Sequence, residues 1–304
     1  MKFRLIILVF TMFFLNDTSA REYKKPAQKN ISTRYMLNFE FSYPAEILVN
    51  DMVAEINLEN APFSPCNLNA YLLDQKEQKI KIKIFHPDYL KGGLIQPEII
   101  QKLNKELAIY KYKIQGEDIL HMEELKKIDF PDIKAAVPYL EYEWTFHIDT
   151  AFKTSGWSNA ADLSKMDKNL LKKEVLNKYE DLRAMLNKGE GARFLKEIST
   201  ANDDFFMSNS FSDAEKKAFV QHQLKTYHSL KGLLLPIEHY RIRMMGEGKV
   251  VALERVSRYK GQGVLVAADK KGKKLYFNYV MLCKPLNSTS FKVIRINSFI
   301  QDKI

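Results

Sequence analysis

The stretch that decides the fold runs from Tyr240 to Asn297. It reads Tyr240–Met245 (YRIRMM), a break at Gly246-Glu247-Gly248, then Lys249–Val256 (KVVALERV). It resumes as Gly263–Ala268 (GVLVAA), breaks at Asp269-Lys270-Lys271-Gly272, and continues as Leu275–Lys284 (LYFNYVMLCK) and Phe291–Asn297 (FKVIRIN). Runs rich in β-branched and aromatic residues, punctuated by glycine turns, predict a meander of antiparallel strands. Within Leu275–Lys284, Tyr276, Asn278, Val280 and Leu282 share one face, and Leu275, Phe277, Tyr279, Met281 and Cys283 the other. Both sets are largely apolar, so both faces should be covered. Helices are expected on one side, and a cavity wall or the first half of the chain on the other.

The helices precede the meander. Leu171, Val175, Tyr179, Leu182 and Leu186 form one helical stripe, with Asp167 placed to cap its start and Gly189 to end it. Ala192–Ile198 predicts a short second helix. Ser212 and Glu215 have capping-box spacing, opening a third helix that carries Phe219, Leu224 and Tyr227 and stops at Gly232. Helices followed by a curved meander that closes on Phe291-Lys292-Val293-Ile294 resemble the nuclear-transport-factor-2-like cone over residues 168–297. Ketosteroid isomerase and scytalone dehydratase share that fold. The resemblance implies a ligand held between the helices and the concave face of the sheet. The fold hosts enzymes, binders and docking modules, so it does not choose a function.

The first half is patterned as strands. Leu37, Phe39, Phe41 and Tyr43 alternate with polar residues, as do Ile80, Ile82 and Ile84 with lysines, and Tyr142, Trp144, Phe146 and Ile148 with Glu143, Thr145, His147 and Asp149. Val53–Leu58 and Asn69–Leu73 are weaker strand candidates. Pro97, Ile99, Leu103 and Leu107 predict one helix, and Glu117–Lys127 a second. Asn67–Leu73 followed by Lys79–Phe85 resembles exported β-sandwich modules of Bacteroidetes-type bacteria, without carrying functional residues. The expected class is α+β: an immunoglobulin-like or C2-like β-sandwich over 35–150, a linker over 151–167 in which Trp157 packs the joint, and an α+β cone-like domain over 168–304.

Lys2 and Arg4, the apolar run Leu5–Leu15 and Thr18-Ser19-Ala20 have the form of a cleaved signal peptide over residues 1–20. Residues 21–34 are polar and basic, a flexible leader. No later segment is apolar enough to span a bilayer, and no cysteine near the cleavage site suggests lipidation. The expected location is periplasmic or secreted.

Beyond residue 20 the net charge is +9, split as −3 over 21–167 and +12 over 168–304. A basic half favours an anionic small molecule, a glycan, envelope lipid or an acidic protein surface. Export argues against nucleic acid. Strand arginines have fixed directions, so Arg241, Arg243, Arg255 and Arg295 are the candidate anion-binding residues, with pairing to Glu238, Glu247 and Glu254 as the alternative.

Catalytic signals are sparse. Glu254 is a candidate base, and His222, His239, Tyr227 and Tyr240 are the only set that could imitate two histidines and two tyrosines around one cavity. The turns at Gly246 and Gly261 open no helix, so they are not dinucleotide loops. His121 and Glu124 lack further ligands, and neither a metal nor a cofactor is implied. Cys66 and Cys283, one in each half, read as buried thiols, with a bridge between the halves as the alternative. The favoured function is non-catalytic binding of a ligand or partner in the cell envelope. The alternatives are a lyase, isomerase or hydrolase using the cone, and a structural or toxin-neutralising interaction protein.

Overall fold

The computed structural model describes residues 31–302, apart from 60, 61, 63, 75, 106, 116, 117 and 150–155. The signal-peptide reading, most of the leader and part of the linker therefore lie outside the described residues. The chain is mixed α+β, with antiparallel sheets and helices α1 (Pro97–Leu103), α2 (Lys168–Lys188), α3 (Gly191–Glu197), α4 (Ser199–Ser208) and α5 (Asp213–Ser229).

The first half contributes two four-stranded antiparallel sheets. One has the order β4 (Cys66–Asn67), β1 (Ile31–Asn38), β6 (Ala108–Gln115), β7 (Asp118–Lys127). The other has the order β3 (Met52–Asn57), β2 (Ala45–Val49), β5 (Glu77–Phe85), β8 (Tyr139–His147). The alternation at Ile80, Ile82 and Ile84 is realised: all three are fully buried, with lysines between them.

Two assignments are corrected. Glu117–Lys127 is not a helix, because Asp118–Lys127 forms the strand β7, hairpin-paired with β6. It is an edge strand exposed along most of its length, so no buried stripe marks its period. Asn69–Leu73 is not a strand, because Asn69–Tyr71 forms one 3-10 turn. The buried Asn69 side chain accepts from Tyr35 N–H at 2.7 Å and donates to the Thr33 and Ser208 carbonyls, which holds that turn in place. β1 begins at Ile31, inside the segment expected to be a leader, and ends at Asn38. Beyond it, the Phe39 and Phe41 rings stack 4.7 Å apart.

The meander forms the third sheet, from β9 (Tyr240–Met245), β10 (Val250–Arg255), β11 (Leu265–Ala268), β12 (Lys274–Cys283) and β13 (Lys292–Asp302). β13 runs along one edge of β12. The other edge pairs with β10 at Leu282–Cys283 and with β11 at Leu275–Asn278. The α2 stripe is buried as predicted, the Asp167 carboxylate caps the helix, and Gly189 ends it in the left-handed region. The capping box at Ser212 and Glu215 is formed in full.

Both faces of β12 are covered. Val280 and Leu282 pack with the α2 stripe, whereas Tyr279, Met281 and Cys283 join a core that includes Ile47, Val53, Ile82 and Phe146 from the first half. That second core crosses the 151–167 segment, with Trp157 and Ala160 buried in it.

The sheet curls where β10 leaves β12. Leu253 and Val280 would be the next ladder partners beyond Val251 and Leu282. Instead the Tyr179 hydroxyl accepts from Leu253 N–H at 3.0 Å and donates to the Val280 carbonyl. Gly263 then crosses close to β12: a Cβ there would lie 2.3 Å from the Asn278 carbonyl oxygen. Tyr179→Phe leaves a buried N–H and a buried C=O unpaired. It is expected to lower unfolding free energy by about 1–3 kcal/mol in urea titration. A loss below ~0.5 kcal/mol would show that the strands re-pair without the hydroxyl.

Candidate functional site

The face of the third sheet turned to the first half carries charge. Arg241 and Arg243 lie two apart on β9, opposite Glu254 and Ala252 of β10. Glu254 is fully buried and accepts from Tyr279 Oη at 2.6 Å, Arg241 Nη2 at 2.9 Å and Arg243 Nη1 at 3.4 Å. Arg243 also pairs with Glu46 on β2, whose carboxyl is raised mainly by burial. Carboxylates and guanidiniums thus alternate from Glu46 to Arg241. Every lone pair of Glu254 faces a donor, which suits a structural anion and not a free general base.

Arg295 is buried on β13. It bonds Asp204 of α4 at 2.7 Å and the Ala70 carbonyl at 2.5 Å, and its guanidinium lies 5.8 Å from the Trp157 ring centroid. Arg255 donates instead to the Arg258 carbonyl. The four strand arginines therefore do not make a stripe of free forks. Three of them are held by carboxylates, and Arg255 stands apart at the end of β10. Glu254 supplies the pairing in two of these cases, whereas the partners of Arg243 and Arg295 include Glu46 and Asp204, which sequence reasoning did not nominate.

The proposed catalytic set does not assemble. His222 is exposed on α5, and His239 is exposed before β9 with φ of 50°. Tyr240 is half-buried, with Lys172 5.8 Å over its ring, while Tyr227 is buried against Phe194. Cys66 and Cys283 are free and buried, and burial pushes Cys283 up to about 11 and Cys66 up as well, so both are poor nucleophiles near neutral pH. Among the described residues no group of three or more His, Cys, Asp or Glu side chains is placed to hold a metal ion.

A different set of polar groups lies on the helix-facing side of the sheet. Asn278, on β12, is flanked by Leu265 of β11 and Ser298 of β13. Its Oδ1 accepts from Ser298 Oγ at 2.7 Å, whereas Nδ2 is buried with no hydrogen-bond partner. Turning the amide over changes which end is orphaned, because a serine hydroxyl can donate or accept. Tyr276, two residues along the same face, sits beside Ser298, and Tyr227 of α5 lies within reach of Tyr276 and beside Gln223. Gln223 in turn makes a reciprocal amide pair with Asn202 of α4, at 2.9 and 3.2 Å. Burial pushes both phenols upward, so they stay protonated donors near neutral pH. The array from Asn202 to Asn278 is polar, uncharged and only partly satisfied. The one signal in sequence is Asn278 itself, an amide amid the apolar run FNYVML.

A comparison with protein-family models, curated proteins and solved structures finds no match for the chain.

Glu55, on β3, offers a separate handle on the junction between the halves. Burial pushes its carboxyl up to about 8, partly offset by the Ile56 backbone N–H. Its neighbours Cys66 and Tyr71 are also raised by burial, and Tyr71 donates to Asn297 Oδ1 at 2.6 Å. The folded chain holds this proton more tightly than the unfolded one. Stability should therefore fall as pH rises between the ordinary value of 4.5 and about 8, then level off. Glu55→Gln is expected to flatten that fall and to raise the unfolding temperature at pH 8. Parallel melting curves of variant and parent between pH 5 and 8 would discard the assignment.

Proposed function

We propose that this is an exported, non-catalytic binding protein whose second half holds a small, uncharged molecule between its helices and the curled sheet. The observation that carries this reading is the Asn278 amide. It is fully buried, one end is satisfied by Ser298, and the other has no partner. An unpaired buried amide costs about 1–3 kcal/mol, a cost a ligand carbonyl or hydroxyl could offset. Tyr276, Tyr227 and Ser298 extend the donor set, and Leu265, Ala267 and Val280 provide the apolar surround. The reading also draws on the sequence resemblance to the cone fold, whose members hold ligands between the helices and the sheet. The leader-like residues 1–20 support an envelope or secreted location.

The array carries no charged side chain, which favours a neutral ligand over an anion. It also lacks a group that titrates near neutral pH, and the engagement of Glu254 removes the other candidate base, so binding is favoured over catalysis.

The test is differential scanning fluorimetry against uncharged carbonyl compounds (steroid ketones, lactones, small amides), with Asn278→Leu alongside. Leucine at 278 removes the orphaned polar group, so the unliganded variant should be as stable as the parent or up to ~2 kcal/mol more stable, while ligand-induced stabilisation disappears. A compound that stabilises both proteins equally binds elsewhere. A variant destabilised by more than ~2 kcal/mol would mean that the amide is a structural member of the sheet and not a ligand contact.

A further inference from the structure

We propose that residues 86–95, together with the turn 255–260, form a docking surface for an anionic phospholipid bilayer. This proposal does not depend on the ligand reading.

The apolar part is contiguous. The rings of Phe85 and Tyr89 lie 4.9 Å apart, and those of Phe85 and Tyr139 lie 5.9 Å apart, which makes a row of three aromatics. Leu90 follows Tyr89 and is 72% exposed. Ile95 pairs with Val137 through two backbone hydrogen bonds of 2.7 and 3.0 Å, which brings Leu94 alongside the Tyr139 segment. Leu94 is 42% and Tyr139 43% exposed. Exposed leucines beside tyrosines are the composition of an interfacial anchor.

The loop that presents them is built, not loose. Tyr89 N–H donates to the His86 carbonyl, Lys91 and Gly93 N–H both donate to the Asp88 carbonyl, and Asp88 N–H donates to His86 Nδ1 at 3.0 Å. The His86 ring packs over Gly93 so closely that a Cβ there would lie 2.2 Å from Nδ1. A rigid tip loses little conformational freedom on insertion, and the exposure of Leu90 is a property of the folded loop.

The charge is complementary to a lipid surface. Lys260 Nζ lies 5.9 Å from the Tyr89 ring centroid, so the basic turn of the second half abuts the aromatic row. Residues 255–263 read RVSRYKGQG, with three bases and no acid. Two acids in the area are ion-paired, Asp88 with Lys91 at 3.2 Å and Glu141 with Lys83 at 2.7 Å, while Glu59, which accepts the Tyr259 N–H, and Glu238 face Arg255 and leave Arg258 and Lys260 as the bases open to a lipid phosphate. Arg255, Arg258 and Lys260 have no carboxylate within ion-pair distance among the described residues. The neighbouring Val256 is 46% exposed. Free bases flanking apolar residues match phosphate headgroups above acyl chains. A glycan is the weaker fit. Lys83 Nζ sits 3.9 Å from the centre of the Tyr139 ring, which blocks the face a sugar would stack on.

The experiment is vesicle co-sedimentation of the full chain with phosphatidylglycerol–phosphatidylcholine vesicles and with pure phosphatidylcholine, at 50 and 500 mM salt. Binding is expected only to the anionic vesicles, weakened at high salt. Leu90→Asp should lower the partition coefficient about tenfold, and Lys260→Glu about fivefold, with unchanged circular dichroism. Leu120→Asp, on the exposed edge strand β7, should change nothing. The proposal is overturned if the parent does not bind anionic vesicles, or if Leu90→Asp and Leu120→Asp bind like the parent. It is also overturned if binding is to a polysaccharide resin and is insensitive to Leu90→Asp.

Discussion

The third sheet depends on one hydroxyl. Tyr179 reaches from α2 to the point where Leu253 N–H and Val280 C=O would otherwise bond each other, and satisfies both. A phenol inserted between two strands holds them apart without leaving either backbone group unpaired. Beyond that wedge β10 diverges, the chain turns at 255–263, and β11 returns to the same edge of β12. The close crossing of Gly263 over Asn278 and Tyr279 tolerates no side chain. The curl therefore follows from one aromatic residue on the helix stripe and one glycine in the turn. It places Asn278 and Tyr276 on the surface enclosed by the helices.

The opposite face explains why the two halves behave as one packed body. β3 ends the second sheet with an open edge, a liability if it met water or another chain. Side-chain amides from the second half close it: Gln262 Nε2 donates to the Ile56 carbonyl at 2.6 Å, and Asn297 Nδ2 approaches the Val53 and Ala54 carbonyls at 3.4 Å. The chain Glu46–Arg243–Glu254–Arg241 crosses the same junction. Ion pairs drawn out of water contribute little net stability, but losing one partner strands the others. They join β2 of the first half to β9 and β10 of the third sheet.

Residues 240–297 were legible because their turns are signalled by glycine or, at 285–290, by Pro285 and a polar run; the strands begin within two residues of expectation, and β13 runs on to Asp302. The α2 stripe and both helix caps were equally legible, since capping depends on neighbours three residues away. β7 was not, because a strand exposed on both faces has no apolar period. The Asn69 turn was not, because its cause is a side chain reaching Thr33, Tyr35 and Ser208. The arginines show the same limit. Spacing correctly put Arg241 and Arg243 on one face, but it could not show that Glu46, nearly two hundred residues earlier, would lie against that face. Direction is a local property of a strand, whereas the partner is decided by the fold.

The same reasoning separates the two sides of the third sheet. On the side facing the first half, Arg241, Arg243 and Arg295 are matched by Glu254, Glu46 and Asp204, whereas Glu55 stays buried without a cation among the described residues. On the helix side, polar groups are neutral and incompletely matched; Asn278 and Tyr227 are buried, whereas Tyr276, Ser298 and Gln223 are half-buried. A buried amide with a free end is selected against by stability alone, since leucine would fit an apolar strand better. Asn278 lies between Ser298 and the crossing of Gly263, and its free end is a cost that apolar packing of the strand does not require.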